Sequence, residues 1–116
     1  MYNDGKYEEA AINSAELLKR VPDSEDANYL GGLIAALSQN YKQAAILLEK
    51  TLDINPHKVE DAMFMIQFGE VLVFAERNEH AKIILEKCLE MGWAPEQYPE
   101  YQQRVAELLT QISAVQ

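Results

Sequence analysis

The chain has 116 residues, of which 48% are hydrophobic and 25% are charged, the composition of a folded rather than a disordered protein. Its acidic side chains outnumber its basic ones, which gives a formal net charge of −9. A nucleic-acid backbone or an anionic lipid surface would therefore meet net repulsion, and no lysine or arginine cluster offsets it. No apolar stretch is long enough to span a membrane, and the first residues do not have the pattern of a secretory signal. The single cysteine, Cys88, fits a reducing compartment, and we expect a cytoplasmic location.

Taken in chain order, a first amphipathic helix is predicted over residues 6–21, and its pattern returns over residues 41–54 and again over residues 79–91. The interval is 34 residues from Tyr7 to Tyr41 and lengthens to 37 for the third copy. Small and apolar residues recur in each copy in steps of four, three and one, which places them on one stripe of an α-helix. The residues expected to face inward are Ala10, Ser14, Leu17 and Leu18; Ala44, Leu48, Thr51 and Leu52; and Ala81, Leu85, Cys88 and Leu89.

Two helices of another type alternate with these copies and are predicted over residues 25–38 and 59–76. Gly32 in the first and Gly69 in the second are 37 residues apart, and the same interval leads on to Ala106. Glycine inside a helix costs about 1 kcal/mol relative to alanine, so a recurring one predicts a close contact with a neighbouring helix.

Residues that favour a helix start precede both of these helices. Asp23 or Ser24 can cap the helix that begins near Glu25. Glu60 and Asp61 supply negative charge to the first turn of the next one.

A sixth helix is predicted over residues 99–114, with Pro99 in its permissive first turn. One side of this helix is apolar and the opposite side is polar, which is typical of the helix that caps a stacked array. No strand-like alternation occurs anywhere in the sequence. We therefore predict an all-α fold of about six helices, stacked as antiparallel pairs in a single domain over residues 1–116.

Several of these features resemble the tetratricopeptide repeat, and the resemblance covers nearly the whole chain. The shared elements are the 34-residue period, the "YEEA" and "YKQA" segments, the pairs Gly31-Gly32 and Phe68-Gly69, and the closing prolines Pro22 and Pro56. The resemblance implies a right-handed α-solenoid of antiparallel helix pairs. The chain departs from the family pattern where Asn28 and Met65 replace the early tryptophan and Trp93 replaces a closing proline.

In this family the first helices of successive pairs line a concave groove that holds peptides or partner helices. The resemblance, aligned on the glycines, implies three sets of partner-binding residues. They are Asp26, Tyr29, Leu33, Ala36 and Leu37; Met63, Ile66, Gln67, Glu70, Val73 and Phe74; and Glu100, Gln103, Arg104 and Glu107. An apolar floor with acidic edges suits an amphipathic or basic peptide. The alternative is that the apolar residues of these sets point partly into the core, so that the groove has an unremarkable surface.

The basic clamp with which some family members hold the tails of heat-shock chaperones is not expected here. The matching places hold Tyr29, Leu33, Gln67 and Glu70, and Arg104 is the one basic residue of the groove.

The first predicted helix has no inner helix before it, so one of its sides would lack the usual neighbour. Tyr7, Ala11, Ile12 and Ala15 lie on that side. We expect the chain to be a piece of a longer array or of a larger protein. The alternatives are that a second copy or another chain covers this side, or that the chain is a self-sufficient monomer.

The sequence offers little for catalysis, and we expect no cofactor or metal. His57 and His80 have no further ligand at the spacing of a metal site, and Cys88 lies on the buried stripe. The Gly31-Gly32 pair lies within a helix and does not form a phosphate loop. The leading hypothesis is a non-catalytic protein-interaction module or scaffold. The alternatives are a structural or regulatory segment of a larger enzyme, and homo-oligomerisation through the first helix.

Overall fold

A computed structural model of the chain describes the backbone of residues 4–115 and the side chains of residues 9, 10 and 12–114. Within this part of the chain the secondary structure is helical, with no strand, which confirms the predicted all-α class. The helices are α1 (Asp4–Arg20), α2 (Glu25–Leu37), α3 (Tyr41–Ile54), α4 (Ala62–Phe74), α5 (Asn78–Met91) and α6 (Tyr101–Val115), with a short 3-10 helix at Pro56–Glu60. None of the described helices is both long and apolar enough to cross a membrane.

The chain divides into two compact units, Met1–His57 and Lys58–Gln116. In the first unit, α2 packs against both α1 and α3. In the second unit, α4 packs against α5, and α6 packs against α5 and α4.

Several predicted helix boundaries are wrong by two or three residues: α1 begins at Asp4 and not at residue 6, and α4 ends at Phe74 and not at residue 76. The helix predicted over residues 59–76 begins at Ala62, because residues 56–60 form the separate 3-10 helix and Asp61 caps α4. The helix predicted from Pro99 begins two residues later, at Tyr101, and Pro99 lies in a turn.

The pair α4–α5 repeats the construction of the pair α2–α3 at an interval of 37 residues. The first and last residues of α4 and α5 each lie 37 residues after the first and last residues of α2 and α3. Their N-terminal caps correspond as well. Ser24 Oγ accepts a hydrogen bond from the backbone N–H of Ala27 at 3.1 Å, as predicted, and Asp61 Oδ1 accepts one from the N–H of Phe64 at 3.1 Å. Each cap satisfies a backbone donor that would otherwise have no partner in the first turn.

The turns that close the two pairs also correspond. Gln39 and Glu76 have left-handed backbone conformations, with φ of 65° and 63°. Directly after each, the backbone N–H of Asn40 or Arg77 bonds back to a carbonyl of the preceding helix, at 2.8 Å and 2.9 Å. This pattern is a common way to end a helix, although glycine is the residue that usually occupies the left-handed position.

The predicted close contacts at the glycines are confirmed. A Cβ atom at Gly32 would stand 2.7 Å from Cδ2 of Leu48, and one at Gly69 would stand 2.6 Å from Cδ2 of Leu85. Each glycine therefore lets the second helix of its pair approach more closely than any larger residue would allow. Ala106, the third member of the predicted series, is exposed.

The predicted inward stripe is correct in its centre and wrong at one edge. Its central members are fully buried: Ala44, Leu48, Thr51, Ala81, Leu85 and Cys88. Leu17 and Leu89, however, are 40% and 52% exposed. Leu47 in α3 and Ile84 in α5, which the prediction does not include, are buried. The buried stripe of each helix is therefore rotated towards the residue that precedes its central leucine, Leu48 or Leu85.

An aromatic cluster fixes α6 to the rest of the second unit. The buried hydroxyl of Tyr101 donates a hydrogen bond to the carbonyl of Ala62, the first residue of α4, at 2.8 Å. The rings of Trp93 and Tyr98 meet the Tyr101 ring edge-on, with centroids 6.4 Å and 5.9 Å away. The side-chain amide of Gln102 donates to the carbonyl of Trp93 at 2.8 Å, which ties the loop before α6 to that helix.

Candidate functional site

The predicted binding residues of α2 lie on the face opposite its buried side. The buried residues are Ala27, Asn28, Gly31, Gly32 and Ala35. Of the predicted set, Asp26 and Leu37 are exposed, Leu37 by 59%, and Tyr29, Leu33 and Ala36 are half-buried. This face of the first unit is therefore mainly apolar, with a carboxylate at its beginning.

The predicted set on α4 separates into a buried part and a surface part. Ile66 and Val73 are only 2% and 7% exposed, so their side chains belong to the core. The remaining residues are half-buried or exposed and follow one another at steps of four, three and four: Met63, Gln67, Glu70 and Phe74. The surface of α4 is thus narrower than the sequence predicts, and it ends at Phe74, which is 39% exposed.

The predicted residues of α6 meet this surface through a charged cluster. Arg104 forms an ion pair with Glu70 of α4, and its other guanidinium nitrogen lies 3.4 Å from Oε1 of Glu107. The amide of Gln103 donates to Oε2 of Glu107, also at 3.4 Å. Glu100 is exposed and precedes α6. The structure therefore brings four predicted residues together where α4 and α6 face each other.

The cluster contains one cation, Arg104, and two carboxylates, Glu70 and Glu107, so the formal charge of the cluster is −1. The carboxylate of Glu70 is the main cause of a raised pKa at Arg104. The ion pair is partly open to solvent and contributes little to stability. Its chief effect is positional, because it fixes Arg104 beside Glu107 and leaves the Glu107 side chain 53% exposed.

An open depression of about 460 Å³ lies one helical turn further along both helices. Its lining comes from the end of α4, the turn after it, the first residue of α5 and the later part of α6: Val73, Phe74, Glu76, Asn78, Gln111 and Ile112. Phe74 and Ile112 give it an apolar part, and Glu76 gives it an acidic edge. We call the charged cluster of Glu70, Arg104 and Glu107, together with this depression, the α4–α6 surface.

Sequence reasoning missed the depression and the ion pair between Glu70 and Arg104. The sequence places Gln111 on the polar side and Ile112 on the apolar stripe of the predicted capping helix and gives no sign of a depression there. A signal for the ion pair does exist, because the two residues carry opposite charges and both belong to the predicted groove sets of neighbouring layers.

Cys88 and His80 both take part in packing within the second unit. Burial raises the pKa of the Cys88 thiol, which is fully buried as predicted. His80 meets the ring of Phe68 edge-on at 5.3 Å, and its Nδ1 lies 3.4 Å from a guanidinium nitrogen of Arg77. Among the described residues, no group of three or more His, Cys, Asp or Glu side chains is placed to hold a metal ion.

The predicted oligomer surface on α1 is described only in part. Ile12 is 61% exposed and Ala15 is exposed. The side chains of Tyr7 and Ala11 lie outside the described residues.

No model of a known protein family matches this chain, and no curated protein matches its sequence. The resemblance to the tetratricopeptide repeat therefore rests on the residues quoted above.

Proposed function

We propose that the chain is a non-catalytic protein-interaction module of the tetratricopeptide type, built as a right-handed solenoid of antiparallel helix pairs. It binds a basic, amphipathic peptide or partner helix on preformed helical surfaces. The α4–α6 surface of the second unit is the part of the molecule that carries this proposal.

The repeated construction of the two helix pairs supports the repeat class. The caps at Ser24 and Asp61, the turns at Gln39 and Glu76, and the glycine contacts all recur at one interval. Repeat proteins use such layers to present a preformed surface, so binding requires little rearrangement.

The chemistry of the α4–α6 surface supports the kind of partner. An apolar side chain of the partner would enter the depression beside Phe74, and its lysine or arginine side chains would lie near Glu107 and Glu76. The net charge of −9 would attract a basic segment over a longer range. The juxtaposition of an open apolar depression and an incompletely neutralised charged cluster is the single observation on which this assignment depends.

The state of the reactive side chains supports a function without catalysis. A buried thiol with a raised pKa is protonated at neutral pH and is a poor nucleophile. The His80 ring contacts Phe68 and Arg77, whereas a catalytic base is commonly oriented by a carboxylate.

A synthetic amphipathic helix of leucine and lysine, labelled with a fluorophore, tests the proposal by anisotropy. We expect saturable binding that weakens as salt is added. Phe74→Ala should weaken it by about tenfold if this ring is an anchor, and Glu107→Gln by about threefold at low salt.

Matched control variants are available on α5. Ile83 is 66% exposed and Glu86 is exposed, so Ile83→Ala and Glu86→Gln remove the same kinds of group elsewhere. A scrambled peptide of equal charge separates general attraction from docking. Equal losses in test and control variants, or equal binding of the scrambled peptide, would show that the α4–α6 surface is not the site.

Homo-oligomerisation through α1 is a second candidate, favoured by the exposed side chain of Ile12. Light scattering across a dilution series measures it directly. A constant monomer mass, unchanged by Ile12→Ser, would exclude it.

A further inference from the structure

Carboxylates lie on both sides of the depression of the α4–α6 surface. On α6, Glu107 precedes Gln111 of the lining by four residues, which is about 6 Å or one helical turn. On α4, Glu70 precedes Phe74 by the same interval. Glu76 lies beyond Phe74, the last residue of α4, and lines the depression from that end. The order along the two helices is therefore carboxylate, apolar depression, carboxylate.

The carboxylates on the two sides are accessible from solvent. Arg104 is shared between Glu70 and Glu107, and the Glu107 side chain remains 53% exposed. Glu76 is also exposed. A cation that approaches from solvent can therefore reach a carboxylate on either side of the depression.

The backbone at Glu76 shows that its side chain serves the surface and not the end of the helix. Its φ is 63°, a left-handed conformation that glycine adopts at lower cost. Glycine would end α4 equally well but would remove the carboxylate from the edge of the depression.

The form of the partner follows from the helices that present these groups. An extended segment gains affinity from an exposed row of backbone hydrogen-bonding groups, whereas α4 and α6 bond these groups within each helix. A helical partner satisfies its own backbone and places residues three or four apart on one face, at the spacing of Glu107 from the depression.

Given the proposed function, on which this step rests, we infer that the partner is a helix with a centred pattern of charge. One bulky apolar side chain enters the depression beside Phe74, and a lysine or arginine lies three or four residues away on each side of it. One cation pairs with Glu107 and the other with Glu76. Because carboxylates lie on both sides, the pattern fits the surface in either chain direction.

Two fluorophore-labelled, alanine-based helical peptides of identical composition test this pattern by anisotropy at low salt. Both have a central leucine and two lysines, placed four residues from the leucine in one peptide and two residues from it in the other. Lysines two residues away point to the opposite face of the helix. We expect the first peptide to bind about tenfold more tightly, since each of the two exposed ion pairs is worth about threefold.

Variants of the chain assign this preference to the two carboxylates. Glu76→Gln and Glu107→Gln should each reduce it by about threefold, and Glu86→Gln, an exposed position on α5, is the matched control and should leave it unchanged. Glu76→Gly separates binding from stability, because it should stabilise the fold and still reduce the preference as Glu76→Gln does.

The outcomes distinguish this inference from the proposed function. Equal binding of the two peptides, or a preference that Glu76→Gln leaves unchanged, would overturn the centred pattern while the interaction module stands. If neither these peptides nor the leucine and lysine helix binds saturably, the proposed function itself fails.

Discussion

Gly32 and Leu48 stand so close that a Cβ atom at position 32 would lie 2.7 Å from Cδ2 and 2.8 Å from Cγ of the leucine. Leu48 is fully buried, so it has little freedom to move away. The same relationship holds between Gly69 and Leu85 in the second unit, at 2.6 Å and 2.9 Å. The approach of the two helices in each pair is therefore set by a residue without a side chain.

Gly32→Ala should lower the free energy of unfolding, because overpacking outweighs the helix propensity gained from alanine. We expect a net loss of about 1–2 kcal/mol, measured by urea unfolding. In a Leu48→Ala background the clash is absent, so the same substitution should become neutral or stabilising. A loss that persists in this background would show that contact with Leu48 is not its cause.

For Gln39 and Glu76, whose backbone conformations are left-handed, we predict that substitution by glycine stabilises the chain. Each occupies a conformation that glycine adopts at much lower cost. Gln39→Gly and Glu76→Gly should each raise the free energy of unfolding by about 0.5–1 kcal/mol. Gln39→Ala is the control, because alanine retains the steric strain and should bring no comparable gain.

Much of the fold follows from patterns that act over a single helix. The cap at Ser24 and the contacts at Gly32 and Gly69 depend on residue type and spacing, so the sequence predicts them. Asp61 is predicted only as a negative charge in the first turn, whereas in the structure it is the N-cap of α4. The burial of Leu47 on α3 and of Ile84 on α5, and the exposure of Leu17 and Leu89, depend on the rotation of each helix against its neighbours. A stripe of apolar residues spans more than 100° and does not define that rotation to within one residue.

The candidate site shows the same division. Glu70, Phe74, Arg104 and Glu107 are predicted from register, and the structure places them near the junction of α4 and α6. Their grouping depends on how α6 packs against α4, with Tyr101 bonded to the carbonyl of Ala62, and the pattern of a single helix does not define that packing. Ile66 and Val73, predicted on the same surface, are buried because α4 has core on more than one side.

Tyr101→Phe should destabilise the second unit and change its response to alkali. Loss of the hydroxyl leaves the Ala62 carbonyl without this donor, and we expect a cost of about 1–2 kcal/mol at neutral pH. Burial raises the pKa of Tyr101 above its ordinary value. Because the folded pKa lies above the unfolded one, the stabilisation from the neutral hydroxyl is complete below pH of about 10 and declines as the pH rises further.

Urea unfolding of Tyr101→Phe between neutral pH and pH of about 11 measures both effects. The variant should lose less stability than the unaltered chain over the alkaline part of this range. Tyr29→Phe is a control, since Tyr29 is half-buried on α2. Parallel alkaline slopes for Tyr101→Phe and the unaltered chain would contradict the assignment.

Cys88 should be almost inert to alkylation while the chain is folded. It is fully buried, and burial raises its pKa, so both access and the thiolate fraction are reduced. At mildly alkaline pH, iodoacetamide should modify Cys88 at a rate that follows the unfolded fraction and rises steeply with urea. Ser113→Cys introduces an exposed thiol on α6 for comparison, and mass spectrometry distinguishes the two sites. The introduced thiol should react rapidly without urea, whereas equal rates at both positions in the folded chain would show that the core around Cys88 opens far more readily than its burial implies.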